Sequence, residues 1–556
     1  MKKSKLIIIS ILVSIIFLVL IFVGINIIKN YNTEIAYVEG KINLIINNNN
    51  VTKKLKYDLF TDENNVIYMS KNDIQNYFDK YIIIEESSNK IITTDKDQIG
   101  VLPLNENFII LNDVTKNITS GAIKTKGTYY LPISELSDMY NVDINYIEDE
   151  KILILDSLDR QLLKANVLNN CNISAKKSIF SKSIAQAREG ETVVIIEKLD
   201  NNWTKVRSKN GYIGYVKSNN LEKEFVARNA TITEENNKKI NLVWDYFSEY
   251  AKAPNRTGTV IEGVNVVSPS FFTLVSKGAG KINNNVGNEG IKYINWAKQN
   301  NYKIWPMFSN NSYKETTSEI LSTYTNRTVV INNIMNLAKY YELDGINLDF
   351  ENVSKADKDL LSRFIIELKP RLKKEGMTLS VDVTAPDGGD DWSECYDRNV
   401  IGDVADYIVF MAYDQYGINS KSAGTTAGYN WVENSLKKFI DREEVKSNKI
   451  ILAIPLYTRL WGEKDGEIVV NKTVDMNAID KTIPEDAQRV WNEELKQNYV
   501  EYIDKNTTYK MWIEDENSIK EKLSLIRQYE LAGAGFWEKD RETEGIWSMV
   551  DKELNQ

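Results

Sequence analysis

The chain has 556 residues, which is more than one hydrophobic core usually organises, so several domains are expected. Its formal net charge is −9 with acidic residues spread along the chain, and this argues against a nucleic acid as partner. The chain contains no histidine, which excludes Ser-His-Asp triads, Cys-His dyads and histidine-based metal sites. Any chemistry is therefore expected to use carboxylates, tyrosines or amides.

The N-terminus predicts a membrane anchor. Lysines precede an apolar run from Leu6 to Ile28, which at 1.5 Å per residue is long enough to cross a hydrocarbon layer of ~30 Å. The first acidic residue is Glu34, so the positive-inside rule places the short tail in the cytoplasm and the rest of the chain outside. We predict that residues 1–33 form a cytoplasmic tail and a single transmembrane signal-anchor at the cell membrane. A cleaved secretory signal is the alternative, with the same extracytoplasmic location for the remainder.

Residues 34–160 predict an α+β domain with a faint internal duplication at a period of about 60 residues. The strand pattern of Val66–Met69 returns at Thr128–Leu131, and a short amphipathic helix follows each copy. Tyr130–Pro132 and Lys151–Ile154 in the second copy resemble the small domain named after the N-terminus of copper amine oxidases. Because histidine ligands are absent, we expect no copper and favour an interaction or spacer role.

Residues 165–222 predict a small all-β barrel. Apolar strands at Glu191–Ile196 and Trp203–Val206 lead into Gly211–Val216, where glycines permit tight turns. The glycines, Trp203 and the Gly-Tyr-Val run make this segment resemble a bacterial SH3-like domain. That resemblance implies either binding of a cell-wall peptide or a spacing role, and the two stay open because the aromatic residues also suit a small core.

From Ile240 onward, short apolar strands alternate with helical stretches, which is typical of βα units around a parallel sheet buried on both faces. Eight strands over about 315 residues predict an α/β fold, a (β/α)8 TIM barrel, over residues 236–556. The polar stretch from Trp461 to Thr508 predicts an insertion between strands seven and eight. The predicted strands begin at or near Ile240, Val264, Lys303, Gly345, Leu379, Tyr407, Ile450 and Gly533.

The fourth strand carries the clearest candidate site. Side chains alternate faces along a strand, so Asn347, Asp349 and Glu351 point to one side while the apolar residues between them point to the other. The polar set then faces the barrel axis, where burying carboxyl groups is costly unless they are hydrogen-bonded or used. Glu351 comes at the C-terminal end of the strand, where barrel active sites are built.

This strand resembles the motif of glycoside hydrolase family 18, Asp-Gly-x-Asp-x-Asp-x-Glu on the fourth strand of a TIM barrel. Asp344, Asp349 and Glu351 match three of its acids, and Asn347 replaces the other one. The replacement removes a negative charge behind Asp349, which leaves open how the pKa of the acid is tuned. The resemblance implies that Glu351 is the proton donor and Asp349 its helper.

Other strand ends extend the resemblance. Met411 to Asp414 after strand six are similar to the family's Met-x-Tyr-Asp element, which implies that Tyr413 hydrogen-bonds the substrate's acetamido group. Trp537 at the end of strand eight matches the aromatic floor under the sugar. The remaining predicted substrate-binding residues are Asp344, Asn347, Met411, Asp414, Trp244, Trp305 and Tyr457.

The family resemblance implies substrate-assisted retaining catalysis. Glu351 would protonate the leaving oxygen while the 2-acetamido carbonyl of the substrate attacks the anomeric carbon, and Asp349 with Tyr413 would stabilise the resulting oxazolinium ion. No metal or cofactor is required. We expect cleavage of β-1,4 bonds after N-acetylglucosamine in peptidoglycan of a Gram-positive envelope. Chitin or chito-oligosaccharides are the alternative substrates, and a non-catalytic carbohydrate-binding protein is the competing class.

Overall fold

A computed structural model of the chain describes residues 13–24, 37–231, 238–248 and 250–555. The chain divides into two compact units, Met1–Glu235 and Asn236–Gln556. The second unit begins at the residue where the sequence predicts the barrel to begin.

The predicted membrane anchor is only partly covered by the described residues. Residues 13–24 are helical, whereas residues 6–12 and 25–28 of the predicted span lie outside the described part of the chain. Across the part that is described, none of the helices has the length and apolar character needed to cross a membrane. The transmembrane segment therefore stays a prediction.

The first unit opens with an α+β domain of three antiparallel or mixed sheets around one apolar core. The duplicated strands, Ile67–Ser70 and Thr128–Leu131, pair antiparallel with each other, and the helices Lys71–Tyr77 and Ser137–Tyr140 follow them. The predicted duplication thus has matching elements in the fold. In spatial order the sheets are Val142–Ile147, Ile152–Ser157, Asn43–Ile46 and Asn49–Asn50; Ile123–Thr125, Thr128–Leu131, Ile67–Ser70 and Phe60–Thr61; and Ile83–Glu85, Lys90–Thr94, Ile99–Pro103, Phe108–Leu111 and Val114–Asn117.

The SH3-like segment of the same unit is a curled seven-stranded sheet with a small core of its own. Trp203 is buried, which favours a packing role for this aromatic ring over a binding one. The buried ion pair between Arg207 and Asp156 joins this sheet to the preceding domain. In spatial order the strands are Ser183–Ala187, Cys171–Ser174, Ile213–Lys217, Trp203–Arg207, Thr192–Leu199, Leu162–Asn166 and Phe225–Arg228.

The second unit is a closed barrel of eight parallel strands, β1 to β8, in which β1 pairs with both β2 and β8. Pro306 has no N–H to donate and interrupts β3, whose two segments pair with β2 and β4 respectively. The strands are β1 Ile240–Asp245, β2 Val266–Pro269, β3 Lys303–Ile304 with Met307–Ser309, β4 Gly345–Asp349, β5 Thr378–Thr384, β6 Tyr407–Met411, β7 Ile450–Pro455 and β8 Gly533–Trp537.

Two apolar layers hold the barrel. The outer layer joins strand residues such as Ile346 and Leu348 to the surrounding helices, and a smaller inner layer inside the barrel includes Trp244 and Met307. Since side chains alternate along each strand, residues between the outer-layer positions point inward, as predicted for β4. The helices are Gly287–Gln299, Lys314–Leu321, Tyr324–Tyr340, Lys358–Lys374, Arg398–Val404, Tyr429–Asp441, Glu516–Gln528 and Ile546–Leu554.

The predicted insertion between β7 and β8 is a folded subdomain. It begins at Tyr457, earlier than predicted, and forms a five-stranded antiparallel sheet. Alternating apolar residues, among them Leu460 and Met511, give one face of this sheet a separate core with the helix Ile479–Thr482. The strands, in spatial order, are Glu467–Asp475, Tyr457–Lys464, Thr507–Ile513, Gln497–Asp504 and Arg489–Asn492. A short hairpin after β2 adds Phe272–Leu274 and Ile282–Asn284.

Candidate active site

A cavity of about 180 Å³ opens at the C-terminal ends of the barrel strands. Its walls come from seven strands or the loops that follow them, as expected for a TIM barrel. Eight of the eleven predicted site residues line it, namely Glu351, Asp349, Tyr413, Trp537, Met411, Asp414, Trp244 and Tyr457. The barrel thus brings together residues that are almost 300 positions apart in the chain.

The backbone that carries Glu351 is held by neighbouring side chains. Asn310, which follows β3 and is fully buried, accepts a hydrogen bond from the Glu351 N–H at 3.0 Å and donates one to the Glu351 carbonyl at 2.8 Å. The Tyr396 hydroxyl donates to the carbonyl of Phe350 at 2.9 Å. Because three backbone groups at the end of β4 are satisfied in this way, the Glu351 carboxyl is aimed into the cavity without relying on its own hydrogen bonds.

The carboxyl groups of Glu351 and Asp349 both line the cavity, and each shifts the pKa of the other. Burial raises the pKa of Asp349 to about 7, and the charge of Asp382 adds to this shift, while hydrogen bonds with Glu351 and Ser309 oppose it. Burial also raises the pKa of Glu351 well above its usual range, and the adjoining Asp349 acts in the same direction. Both effects favour a proton on the Glu351 carboxyl group, which a general acid must hold before it reacts.

The side of the cavity after β6 and β7 is lined by hydroxyl groups. Burial raises the pKa of both Tyr413 and Tyr457 well above its usual range, so both phenols stay protonated and can donate hydrogen bonds. The Tyr457 hydroxyl donates to Asp414 Oδ1 at 2.8 Å, which orients that carboxylate. Tyr413 lies edge-on to Tyr457, with ring centroids 6.3 Å apart.

Aromatic rings form the floor and the rim. Trp537 packs edge-on against Trp244, with ring centroids 5.8 Å apart, and Trp244 is almost completely buried beneath it. Trp392, from the loop after β5, lines the same cavity with 44% of its surface exposed. A flat apolar floor beside a carboxyl pair suits a pyranose ring, which has an apolar face and polar edges.

Three predicted substrate-binding residues lie outside the cavity lining, and their positions correct the prediction. Asp344 precedes β4 at the opposite end of the barrel, where it pairs with Lys303 Nζ at 2.7 Å. Trp305 is buried in the inner layer against Tyr407, the first residue of β6. Asn347 faces the barrel interior one level below Asp349 and is fully buried, so it is too deep to contact a sugar. Their positions are explained by ion pairing, core packing and interior hydrogen bonds.

The cavity also contains residues that the sequence analysis did not single out, namely Asp382, Thr384, Met307 and Trp392. Asp382 is the most consequential, because it is a buried acid on β5, next to the catalytic strand. The alternation of Ser380, Asp382 and Thr384 with Val381 and Val383 was the available signal. It matches the polar and apolar alternation of β4.

Replacement of Asn310 by alanine tests the backbone support of Glu351. Loss of the amide leaves the N–H and the carbonyl of Glu351 without these partners, so we expect the free energy of unfolding to fall by about 1–3 kcal/mol. Turnover should fall as well, because the acid is no longer held in place. Urea unfolding measures the first effect. Asn295→Ala, on the exposed face of the helix Gly287–Gln299, is the matched control and should unfold like the parent. Equal stability of Asn310→Ala and parent would contradict the assigned role.

Comparison with known proteins places this site in a family. The model of glycosyl hydrolases family 18 matches residues 242–542, more than half of the chain, and the model of the bacterial SH3 domain matches residues 170–222. Among solved structures, a chitinase from Chromobacterium violaceum covers 57% of this chain and 99% of its own, with a TM-score of 0.50 and 23% identity. The spore cortex-lytic enzyme SleL of Bacillus megaterium covers 66% of this chain and 89% of its own, with a TM-score of 0.50 and 21% identity. Both share the fold.

Sequence relatives agree with this placement. The uncharacterized glycosylase YvbX of Bacillus subtilis is 30% identical over 278 residues, which are 48% of this chain and 79% of YvbX. The putative sporulation-specific glycosylase YdhD of the same species is 31% identical over 228 residues, 40% of this chain and 53% of YdhD. This chain therefore spans little more than half the length of YdhD. The chain belongs to glycosyl hydrolases family 18, and a bacterial SH3 domain precedes its catalytic barrel.

Proposed function

We propose that the barrel cleaves β-1,4 bonds after N-acetylglucosamine in cell-wall peptidoglycan, with the acetamido group of the substrate as nucleophile. The placement of Glu351 and Asp349 two positions apart, at the end of β4 and in the same cavity, carries this proposal. A retaining glycosidase with a protein nucleophile separates its two carboxyl groups by roughly 5–5.5 Å across the sugar, and an inverting one by more. Asp349 and Glu351 come from the same strand end and do not face each other across a sugar, which favours a nucleophile supplied by the substrate.

In the proposed reaction, Glu351 gives its proton to the leaving oxygen while the acetamido carbonyl attacks the anomeric carbon. The resulting oxazolinium ion carries a positive charge, which Asp349 as a carboxylate stabilises and the Tyr413 hydroxyl orients. Glu351 then accepts a proton from the water that opens the oxazolinium ring, which restores the acid. The raised pKa of Glu351 suits both steps, because the group is protonated at the start and recovers its proton at the end.

The choice of peptidoglycan rests on the surroundings of the barrel and on its relatives. The chain carries a bacterial SH3 domain, and we infer that this domain holds the enzyme against wall material, with a wall peptide as its ligand. The cortical fragment-lytic enzyme of Bacillus subtilis, named for lysis of cortical fragments, is 22% identical over 242 residues, 42% of this chain and 56% of its own length. The apolar run near the N-terminus supports anchoring at the cell membrane, with the barrel outside.

Chitin or chito-oligosaccharides are a second candidate substrate, because the cavity itself requires only an acetamido group beside the cleaved bond. Human di-N-acetylchitobiase is 25% identical over 265 residues, which are 40% of this chain and 67% of that protein. Both substrates place the same group over Asp349 and Tyr413. The difference between them therefore lies in the products and not in the chemistry.

Digestion of purified peptidoglycan and of chitin by residues 30–556 tests the proposal. We expect new reducing ends from peptidoglycan, with N-acetylglucosamine at the new end of each fragment by mass spectrometry. Glu351→Gln should reduce turnover by at least 100-fold, since loss of a general acid costs roughly 10²–10⁴-fold. The matched control is Glu485→Gln, an exposed glutamate of the insertion, which should behave like the parent. Release from chitin alone would favour the second candidate, and activity in Glu351→Gln would contradict the assignment of the acid.

Removal of the N-acetyl groups from the substrate tests the nucleophile. Because the acetamido carbonyl forms the new bond to the anomeric carbon, we expect de-N-acetylated glycan to be bound but not cleaved. Partially acetylated chito-oligosaccharides make the measurement direct, since every new reducing end should carry an N-acetylated sugar. Cleavage at glucosamine units at a comparable rate would instead require a carboxylate of the protein as nucleophile.

A further inference from the structure

We propose that Asp382 is a positioning residue for the catalytic pair. From β5 it supplies the second carboxyl group beside Asp349 that Asn347 lacks on β4, and it accepts the proton that Asp349 releases when Asp349 ionises. This inference rests on the proposed roles of Glu351 and Asp349. It goes beyond them because it assigns a part in the reaction to an acid on another strand.

The register of the barrel places the two aspartates side by side. Strands β4 and β5 pair in parallel with Leu348 opposite Val381, so Asp349 and Asp382 occupy the next matching positions. Neighbouring strands are separated by roughly 4.8 Å, and side chains that leave the same face at matching positions are neighbours. Both aspartates line the cavity.

The amide of Asn347 directs a hydrogen bond to Asp382. Asn347 Oδ1 accepts from Trp244 Nε1 at 2.8 Å and from Ser268 Oγ at 3.1 Å. A tryptophan ring nitrogen only donates, so this contact fixes which end of the amide is oxygen. Asn347 Nδ2 then faces β5, where it donates to Asp382 Oδ1 at 2.6 Å and to Ser380 Oγ at 3.0 Å.

In this arrangement the acid beside Asp349 lies on β5, as Asp382, and not on β4, where Asn347 is an amide. An acid at 347 would offer no donor to Asp382 and would place a further negative charge in the interior. The neutral amide avoids both costs and leaves Asp382 as the carboxyl group next to Asp349. One oxygen of Asp349, Oδ1, is buried and has no hydrogen-bond partner among the described residues, so it has capacity for a proton shared with a neighbour.

The charges around the cluster make proton sharing favourable. The ionisable groups that line the cavity are Asp349 and Glu351 from β4, Asp382 from β5, Tyr413 and Asp414 after β6, and Tyr457 after β7. None of these groups is cationic. Within the described residues, the positive charge that comes closest to a lining carboxyl group is Arg459, whose Nη2 lies 4.0 Å from Asp414 Oδ1. Burial raises the pKa of Asp382 well above its usual range, and the charge of Glu351 adds to it. Like charges this close do not all ionise, so the cluster retains protons at neutral pH.

The proposed step transfers one proton. As positive charge develops on the sugar, the O–H bond of Asp349 breaks and an O–H bond forms on Asp382, so the aspartate pair keeps one proton and one negative charge. The charge then lies on Asp349, which faces the oxazolinium ion. Asn347 Nδ2 holds the other oxygen of Asp382 during the exchange, which keeps the accepting oxygen turned toward Asp349.

Four variants of the full chain test this role on a fluorogenic N-acetylchitobiose glycoside, with kcat and KM followed from acidic to alkaline pH. Asp382→Asn should lower kcat by roughly 10- to 100-fold, less than loss of the acid itself, with little change in KM. The acidic limb of its profile should move to lower pH, because removal of a neighbouring negative charge lowers the pKa of Asp349. Asn347→Asp should also lose turnover, because it places a second carboxyl group directly against that of Asp382.

The exchanged variant, Asn347→Asp with Asp382→Asn, is the decisive one. It restores one acid and one amide in opposite positions, and we expect recovery of kcat to within several-fold of the parent together with the parent's acidic limb. Ser380→Ala removes the other hydrogen bond of the Asn347 amide without changing charge, and it should leave that limb in place.

Two results would overturn the inference. One is parent-like kcat and an unmoved profile in Asp382→Asn. The other is loss of turnover in Asp382→Asn without a moved limb, and no recovery in the folded exchanged variant, which would mean that Asp382 only packs. Parent turnover and its loss in Glu351→Gln in the same assay test the role of the acid separately, so that failure of the inference is recognisable on its own.

Discussion

The electrostatic interaction between the neighbouring carboxyl groups of Glu351 and Asp349 is the one on which the rest of the site depends. In water, two carboxylic acids would both be ionised at neutral pH and would repel each other. In the barrel interior, burial raises the pKa of both groups and so favours their protonated forms. A protonated Glu351 can donate its proton, and an ionised Asp349 can then stabilise the positive charge that develops on the sugar. The barrel therefore acts on the chemistry chiefly by excluding water from this pair.

Rigid support keeps the pair in place without neutralising it. Asn310 and Tyr396 bind the backbone around Glu351, not its carboxyl group, so the acid stays available to a substrate. Behind the pair, Asn347 accepts hydrogen bonds on one side and donates on the other, so that the interior is polar but adds no charge. The neutral Asn347 lies below the pair, and the acids that line the cavity lie above it. These acids make the cavity negative, which favours the positive charge of an oxazolinium ion.

The sequence predicted those features that depend on local periodicity. The eight strands, the inward direction of Asp349 and Glu351 on β4, and the grouping of Tyr413, Asp414 and Trp537 at strand ends follow from alternation and from parallel topology. It did not predict Asp382, because the partner that faces an inward acid depends on the register between β4 and β5. Trp305 was misplaced for a related reason: β3 is interrupted at Pro306, and the height of a ring inside the barrel is set by that break and by packing on Tyr407. The insertion after β7 was predicted, but its five-stranded sheet was not, because only one face of that sheet is apolar.

An infrared titration of the Glu351 carboxyl group tests the central claim most directly. Subtracting the spectrum of Glu351→Gln from that of the parent isolates the C=O band of the protonated acid. We predict that this band persists through neutral pH and disappears only under alkaline conditions, because burial and the adjoining Asp349 hold the proton on Glu351. Loss of the band well below neutral pH would show an ionised glutamate and would contradict the assignment of this pair as a buried proton donor and its helper.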